Sequence, residues 1–363
     1  MSTIIAHQDE DVVYSTARVT MEIAHRVYAL HLTAAELFQL YGKCSHLHGH
    51  GWVLFVKIKI TASKMKEVAT RHPSCHAMLK SILDTHVVPV FDHCNLADAI
   101  SCPTMANVMV TTENAVYVIA TLLKRALLEQ NIPVTSLLSI QLFETQTGSV
   151  LWEPTASDLD CLHVGNYGRI SYQHYQSMIN KIVPPHMKII KRVVFPLQRD
   201  TVDVILPKQQ NNNASSMANW HRDDHHLASV EHPGTLLAWD LVLYGLLDTR
   251  IGMVANLSKL KELMLHVHQQ TSHLLKQKEP ALHEFMKLIP QTSHEYQQTL
   301  ALQHTSPKIA MFLQTYVLPV FKESCSVFGI DSSYLVELHW NMVHCDGSTT
   351  KTPITLGDII VKF

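Results

Sequence analysis

The stretch KCSHLHGHGWVLFVKIKIT, residues 43–61, decides the fold. Trp52, Leu54, Val56, Ile58 and Ile60 recur at every second position, and Lys57 and Lys59 face the other way. Alternation of that kind marks a strand with one buried face. Upstream, Val19, Met21 and Ile23 alternate with Thr20 and Glu22, and antiparallel pairing of the two segments is the simplest arrangement. Beyond this pair, a helix from about Ser74 to His86 places Met78, Leu79, Ile82 and Leu83 on one side. A second helix opens at Thr111 or Thr112, whose hydroxyl can cap it, with Glu113 in the first turn. Its stripe runs through Val116, Ile119, Leu122, Leu123, Ala126 and Leu127. Leu138, Ile140 and Leu142 then alternate toward Glu144, and Gly148 turns the chain into Val150 and Trp152. Helices grouped in the middle of an antiparallel sheet predict an α+β layer fold.

The second half repeats this order. TVDVILP (from Thr201) alternates, KQQNNNASSMAN (from Lys208) is a polar loop, and TLLAWDLVLYG (from Thr235) is a strand. A turn at Gly252 leads into the helix LSKLKELMLHVHQQ. A further helix follows Pro307, then a strand at Leu335–Leu338 and a last one in DIIVKF. His25-Arg26 falls on His221-Arg222, and TTEN from Thr111 on TSPK from Thr305, at offsets of 196 and 194 residues. A repeated element order at a steady offset predicts a tandem duplication. The division expected is 1–154 for the first repeat, 155–187 for a connecting segment and 188–363 for the second repeat.

Composition removes several classes of function. The 363 residues are 47% hydrophobic and 17% charged, with a formal net charge of −2. Such a chain is globular and has no basic surface for nucleic acid. No run reaches the roughly 18 apolar residues needed to span a bilayer. The N-terminal MSTIIAHQDEDVV carries acids where an export signal needs a basic end. The seven cysteines are scattered without paired spacing and are expected as reduced thiols in the cytoplasm.

The chemistry concentrates in the quoted stretch. His48 and His50 are two apart at the entry to a strand, so their imidazoles project from one face. His25 ends the preceding strand, where an antiparallel neighbour brings it alongside. Three imidazoles with no fourth protein ligand make a zinc site with an open, catalytic position; Cys44 or His46 as a fourth ligand would make it structural. A divalent cation nearby would lower the Cys44 thiol pKa and give a thiolate base. In FDHCNL, residues 91–96, Asp92 can orient His93 as a proton shuttle. Glu144 ends its strand in LFET, where a carboxylate can accept two N–H bonds from a planar heterocycle such as a 2-amino-4-oxopyrimidine ring.

Together these residues resemble the 6-pyruvoyltetrahydropterin synthase family, which includes the bacterial 6-carboxytetrahydropterin synthases. The matched blocks are AHR (Ala24–Arg26), GKCSHLHGH (Gly42–His50), FDHCNL, TTEN (Thr111–Asn114) and LFET, covering roughly residues 12–153. The resemblance implies the tunnelling fold (T-fold), an antiparallel four-stranded sheet with two helices on one face, whose sheets join between subunits into a barrel. It implies His25, His48 and His50 as Zn2+ ligands and Cys44 as the catalytic thiol. Asp92 and His93 match the acid/base pair, Glu144 the pterin anchor, and Thr111, Thr112 and Glu113 a segment lining the pterin pocket. The implied substrate is a pterin triphosphate, 7,8-dihydroneopterin triphosphate, turned over by a homo-oligomer.

The second repeat departs from the pattern. It keeps His221 and His232, but Gly234 stands where the second histidine of HGH belongs, Pro307 replaces the glutamate of TTEN, and Trp340 falls where Glu144 would be. The family's glycine turn, GM-V-x-N/D-L/F, occurs in this second repeat, as GMVANLSKLKELM from Gly252. The spacing Cys-x3-His-Gly-His matches the 6-carboxytetrahydropterin enzymes of queuosine-type deazapurine synthesis. LTAAELFQLYGKC and TTEN match the 6-pyruvoyl enzymes of tetrahydrobiopterin synthesis. The expectation is a zinc-dependent lyase making 6-carboxy-5,6,7,8-tetrahydropterin; the alternatives are a 6-pyruvoyl enzyme and a non-catalytic pterin- or zinc-binding relative.

Overall fold

A computed structural model describes residues 11–28, 32–98, 100–105, 109–162, 186–196, 234–248, 252–288, 305–345 and 354–363. The chain divides into two compact units. The first comprises Met1–Thr145, Ser149–Met187 and Leu246–Val254, and the second comprises Gln146–Gly148, Lys188–Gly245 and Ala255–Phe363. Both are α+β.

In the first unit, β1 (Val12–His25) and β2 (His48–Thr61) pair antiparallel along their full lengths, from Val12 opposite Thr61 to His25 opposite His48. The alternation seen in the sequence is the burial seen in the structure. Met21, Trp52, Leu54, Val56 and Ile58 are essentially inaccessible, while Thr20, Glu22, Lys57 and Lys59 face out. Each such large apolar side chain contributes roughly 1.5–3 kcal/mol by its burial. β4 (Leu137–Thr145) pairs antiparallel with β2, Leu54 opposite Leu142 and Val53 opposite Phe143, and β5 (Gly148–Trp152) follows it.

Helix α3 (Cys75–His86) is capped by Ser74 and buries Met78, Leu79, Ile82 and Leu83. The long helix α5 (Thr112–Glu129) is capped by the Thr111 hydroxyl, which accepts from the Asn114 N–H. Three shorter helices were not anticipated: α1 (Ala34–Tyr41), α2 (Ala62–Val68) and α4 (Val88–Phe91). The four-stranded sheet also gains a fifth, two-residue strand. β3 (Cys94–Asn95), inside FDHCNL, pairs parallel with β1 at Ile23 and Ala24, so the sheet order is β3-β1-β2-β4-β5. The segment is too short for a period to show in the sequence. Thr155 caps a short helix, α6 (Ala156–Cys161).

The second unit has strands in the order β6-β7-β8-β9: β6 (His186–Pro196, in this unit from Lys188), β7 (Gly234–Leu246), β8 (Leu335–Cys345) and β9 (Ile354–Lys362). β7, β8 and β9 pair antiparallel. Helix α7 (Leu257–Lys278) buries Leu260, Leu263, Met264 and Val267, and a helical run over 305–325 contains a π turn at Leu313–Val317. At the centre, Trp239 packs edge-on to His268 (ring centroids 5.2 Å apart) and against Phe321. Desolvation lowers the His268 pKa to about 4. On the opposite face of β7, Arg192 donates two hydrogen bonds of 2.6 Å to the buried Asp240. Strand β6 was missed in the sequence. The strand sought at TVDVILP lies outside the described residues, as do His221 and His232.

Among the described residues no helix is long and apolar enough to cross a membrane. Among the described residues Cys44, Cys75, Cys94, Cys102 and Cys325 are thiols not joined in disulfides.

Candidate active site

The β1–β2 register assembles the site. His25 stands directly opposite His48, and Ile23 opposite His50, so the side chains of His25, His48 and His50 share the face that buries Trp52. The ring centroids are 4.5 Å (His25–His48), 4.7 Å (His48–His50) and 5.1 Å (His25–His50) apart. β4 brings Glu144 beside them, one residue beyond the Val53–Phe143 pair. One donor atom from each of His25, His48, His50 and Glu144 lies within 4.8 Å of all the others.

The ring tautomers follow from their partners. A carbonyl oxygen only accepts, so His25 Nδ1 donates to Val110 O (3.2 Å) and His48 Nδ1 donates to His46 O (2.7 Å). In the neutral rings Nε2 then carries the lone pair. Glu144 Oε1 lies 3.4 Å from His25 Nε2 and 3.5 Å from His50 Nε2. Lone pairs and a carboxylate oxygen at that range repel unless a proton or a cation sits among them. Zinc donors about 2.0–2.1 Å from the ion stand about 3.3 Å apart in a tetrahedron, close to the two distances observed. The donor set therefore fits zinc, and Glu144 stands at the corner that the sequence left open.

Burial alone would raise the Glu144 carboxyl. With the imidazoles protonated, the hydrogen bond and charge of His25, the charge of His50 and the Thr112 hydroxyl outweigh it and hold Glu144 at about 2; a cation bound to neutral imidazoles would act on the carboxylate in the same sense. Thr112 Oγ1 donates to Glu144 Oε2 at 2.9 Å. Next to it, Glu113 is buried, and desolvation pushes its carboxyl up to about 8 although the Val254 N–H donates to Oε1 at 3.0 Å. Two neighbouring carboxyl groups thus differ in state at neutral pH, Glu144 ionised and Glu113 protonated.

Asp92 and His93 form the expected pair, with His93 Nδ1 3.0 Å from Asp92 Oδ2. The pair is tied to β1 at Glu22: Asp92 Oδ1 accepts from the Glu22 N–H (2.8 Å), and the His93 N–H donates to Glu22 O (2.6 Å). The Glu22 N–H is the main reason the Asp92 carboxyl lies below its usual range; burial opposes it and His93 assists. His93 adopts φ 57°, a conformation costing roughly 1–3 kcal/mol for a side-chain-bearing residue. Neither residue belongs to the four-donor group. Cys44, also outside it, packs half-buried against the cluster of Val27, Leu37, Tyr41 and Met109.

Sequence reasoning missed three features: the carbonyls of Val110 and His46 that orient the rings, the presence of Glu144 within the metal group, and the turn at Gly252–Val254. The carbonyls leave no mark in side-chain spacing. The turn was visible as GMVANL, but its partners, Thr111 and Glu113, lie 141 residues away in the chain.

The sequence of this chain is similar to that of known proteins of one family. The family described as 6-pyruvoyl tetrahydropterin synthase matches residues 14–154. The chain is 31% identical over 137 residues to a protein of Pongo abelii named 6-pyruvoyl tetrahydrobiopterin synthase, covering 38% of this chain and 88% of the relative. The Homo sapiens protein of the same name is 30% identical over the same share of each chain. A solved structure of Caenorhabditis elegans 6-pyruvoyl tetrahydropterin synthase aligns with TM-score 0.30 and 20% identity, over 40% of this chain and 98% of that one. With its histidine triad inside the matched region and nearly nine-tenths of two relatives covered, the chain belongs to the 6-pyruvoyl tetrahydropterin synthase family.

Proposed function

We propose that the protein is a zinc-dependent lyase that eliminates triphosphate from 7,8-dihydroneopterin triphosphate, with His25, His48 and His50 holding the ion. The observation that carries this is the convergence of three imidazoles, two of them oriented by backbone carbonyls, and one carboxylate, with a donor atom of each within 4.8 Å of all the others. A zinc ion held there would polarise the side-chain oxygens of the substrate and ease proton removal beside the ring.

The chain's own residues supply the rest. Glu144, kept ionised by its neighbours, accepts the N–H bonds of the pterin ring when it turns from the imidazoles toward substrate. Thr112 holds its second oxygen, and Thr111 and Glu113 line the same pocket. Cys44 and the Asp92–His93 pair move protons, with Asp92 fixing the orientation of the exposed imidazole.

Both relatives carry the 6-pyruvoyl name, which together with the TTEN block supports 6-pyruvoyltetrahydropterin as product. The spacing of Cys44, His48 and His50 favours a second reading, 6-carboxytetrahydropterin for queuosine-type synthesis. In either case residues 1–154 form the catalytic T-fold repeat, 155–187 connect, and 188–363 are a degenerate repeat, in a cytoplasmic homo-oligomer. In support of the degenerate repeat, Trp340 lies opposite Trp239 in the β7–β8 register, an apolar pair in place of a carboxylate.

Incubation with 7,8-dihydroneopterin triphosphate and mass identification of the product tests the proposal. Release of triphosphate with either tetrahydropterin supports it and names the product. Unchanged substrate, with zinc bound, would leave the non-catalytic alternative.

A further inference from the structure

The first unit includes a short segment, Leu246–Val254, that lies almost a hundred residues beyond the family-matched region. Its described residues bond to one another: the Gly252 N–H donates to Asp248 O (2.6 Å), and the Asp248 N–H donates to Met253 O (3.1 Å). Gly252 has φ +67°, in the left-handed region. Its carbonyl accepts from Thr111 Oγ1 at 2.6 Å, and two residues on the Val254 N–H donates to Glu113 Oε1 at 3.0 Å. Met253 packs on the same apolar cluster as Cys44.

The hydrogen bonds of Gly252 O and the Val254 N–H fall on Thr111 and Glu113, and the segment that carries them, Met109–Asn114, holds the site. Val110 O orients His25, and Thr112 Oγ1 holds Glu144. Asn114 Nδ2 closes the segment by donating to Met109 O (2.9 Å). The fit leaves no room at the glycine. A Cβ on Gly252 would stand 2.8 Å from Asn114 Nδ2, 3.0 Å from Met109 Sδ and 3.3 Å from Thr111 Cγ2. Asn114 is fully buried, so moving its amide breaks the bond to Met109 O and shifts the carbonyl that aims His25.

We infer that Gly252–Val254, tied back to Asp248, is a positioning element of the active site, and that Gly252, through Met109–Thr112, sets the His25 ring and the Glu144 carboxylate. The inference rests on the zinc and pterin reading above. It makes the first 154 residues insufficient for a working site, because the turn that fixes two of its groups is encoded in the second half of the chain.

The test compares two glycines of equal backbone strain. Gly329 has φ +68°, and a Cβ there would meet nothing within 4 Å. Full-length wild type, Gly252→Ala and Gly329→Ala are titrated with zinc against a chromophoric chelator, with cobalt(II) for its ligand-field spectrum, and with biopterin by fluorescence. Gly252→Ala should weaken zinc and biopterin at least about tenfold and change the cobalt spectrum. Gly329→Ala should match wild type. If wild type binds both probes and folded Gly252→Ala binds them equally well with the same spectrum, the inference is wrong and the functional reading stands. Wild type binding neither probe overturns both. Should Gly252→Ala fail to fold, Thr111→Val decides. It removes the bond to Gly252 O together with the cap of α5 and should weaken zinc binding, with Thr111→Ser restoring it; wild-type affinity in Thr111→Val would overturn the inference.

Discussion

Replacing Glu144 by glutamine removes one negative charge and keeps the shape, including an oxygen for the Thr112 hydroxyl to reach. Two roles compete for this carboxylate, and the magnitudes separate them. As a pterin anchor, Glu144 makes charge-assisted hydrogen bonds worth roughly 1.5–3 kcal/mol, so biopterin should bind roughly ten- to 150-fold more weakly. As a charge near the divalent ion but not on it, Glu144 contributes about 2 kcal/mol at 4 Å if water-like screening prevails, so zinc affinity should fall by no more than roughly thirtyfold. As a true fourth ligand, its loss would weaken zinc further and leave biopterin affinity unchanged. The distances of 3.4 and 3.5 Å to His25 and His50 Nε2 make the comparison sharp, because both roles start from one geometry. The assay is fluorescence titration of zinc-loaded protein with biopterin, beside zinc competition against a chelator. Unchanged biopterin affinity with a hundredfold loss of zinc would refute the anchor role and make the site a closed, four-ligand one.

Two further outcomes are expected. Cys44→Ala should keep zinc content while turnover falls at least about a hundredfold, as for a lost proton-transfer group; loss of zinc would show that Cys44 is a ligand. His268, held at about 4, must stay neutral in the fold but protonates freely when unfolded. Its contribution is complete above about pH 6.5 and is lost as the pH falls toward 4, about 3 kcal/mol in all. Denaturant melts of wild type and His268→Phe across that range should therefore converge in slope only above pH 6.5, and parallel curves would contradict the assignment.

Much of this was legible in the sequence. Strict alternation in residues 52–60 and the capped stripe after Thr111 gave β2 and α5 because one face of each is buried almost completely. The histidine triad was legible because strand period two fixes which side chains share a face. What escaped depends on register and on backbone groups. Glu144 reaches the imidazoles only through the particular pairing of β4 on β2. β6 was hidden because Lys191 is buried within it, its ammonium donating to Thr147 Oγ1, so a polar residue stands where the pattern calls for an apolar one. The turn at Gly252 acts through hydrogen bonds that no local period records.

The central claim is that three histidines of the first unit hold one zinc ion. Among the described residues only His25, His48, His50 and Glu144 form a metal-donor group, and the second half replaces the second histidine of HGH with Gly234. Metal analysis of the full chain after dialysis against a weak chelator tests this directly. The account predicts close to one zinc per chain, and close to none in His48→Ala. A wild-type ratio near zero or near two, or a His48→Ala variant that keeps its zinc, would contradict it.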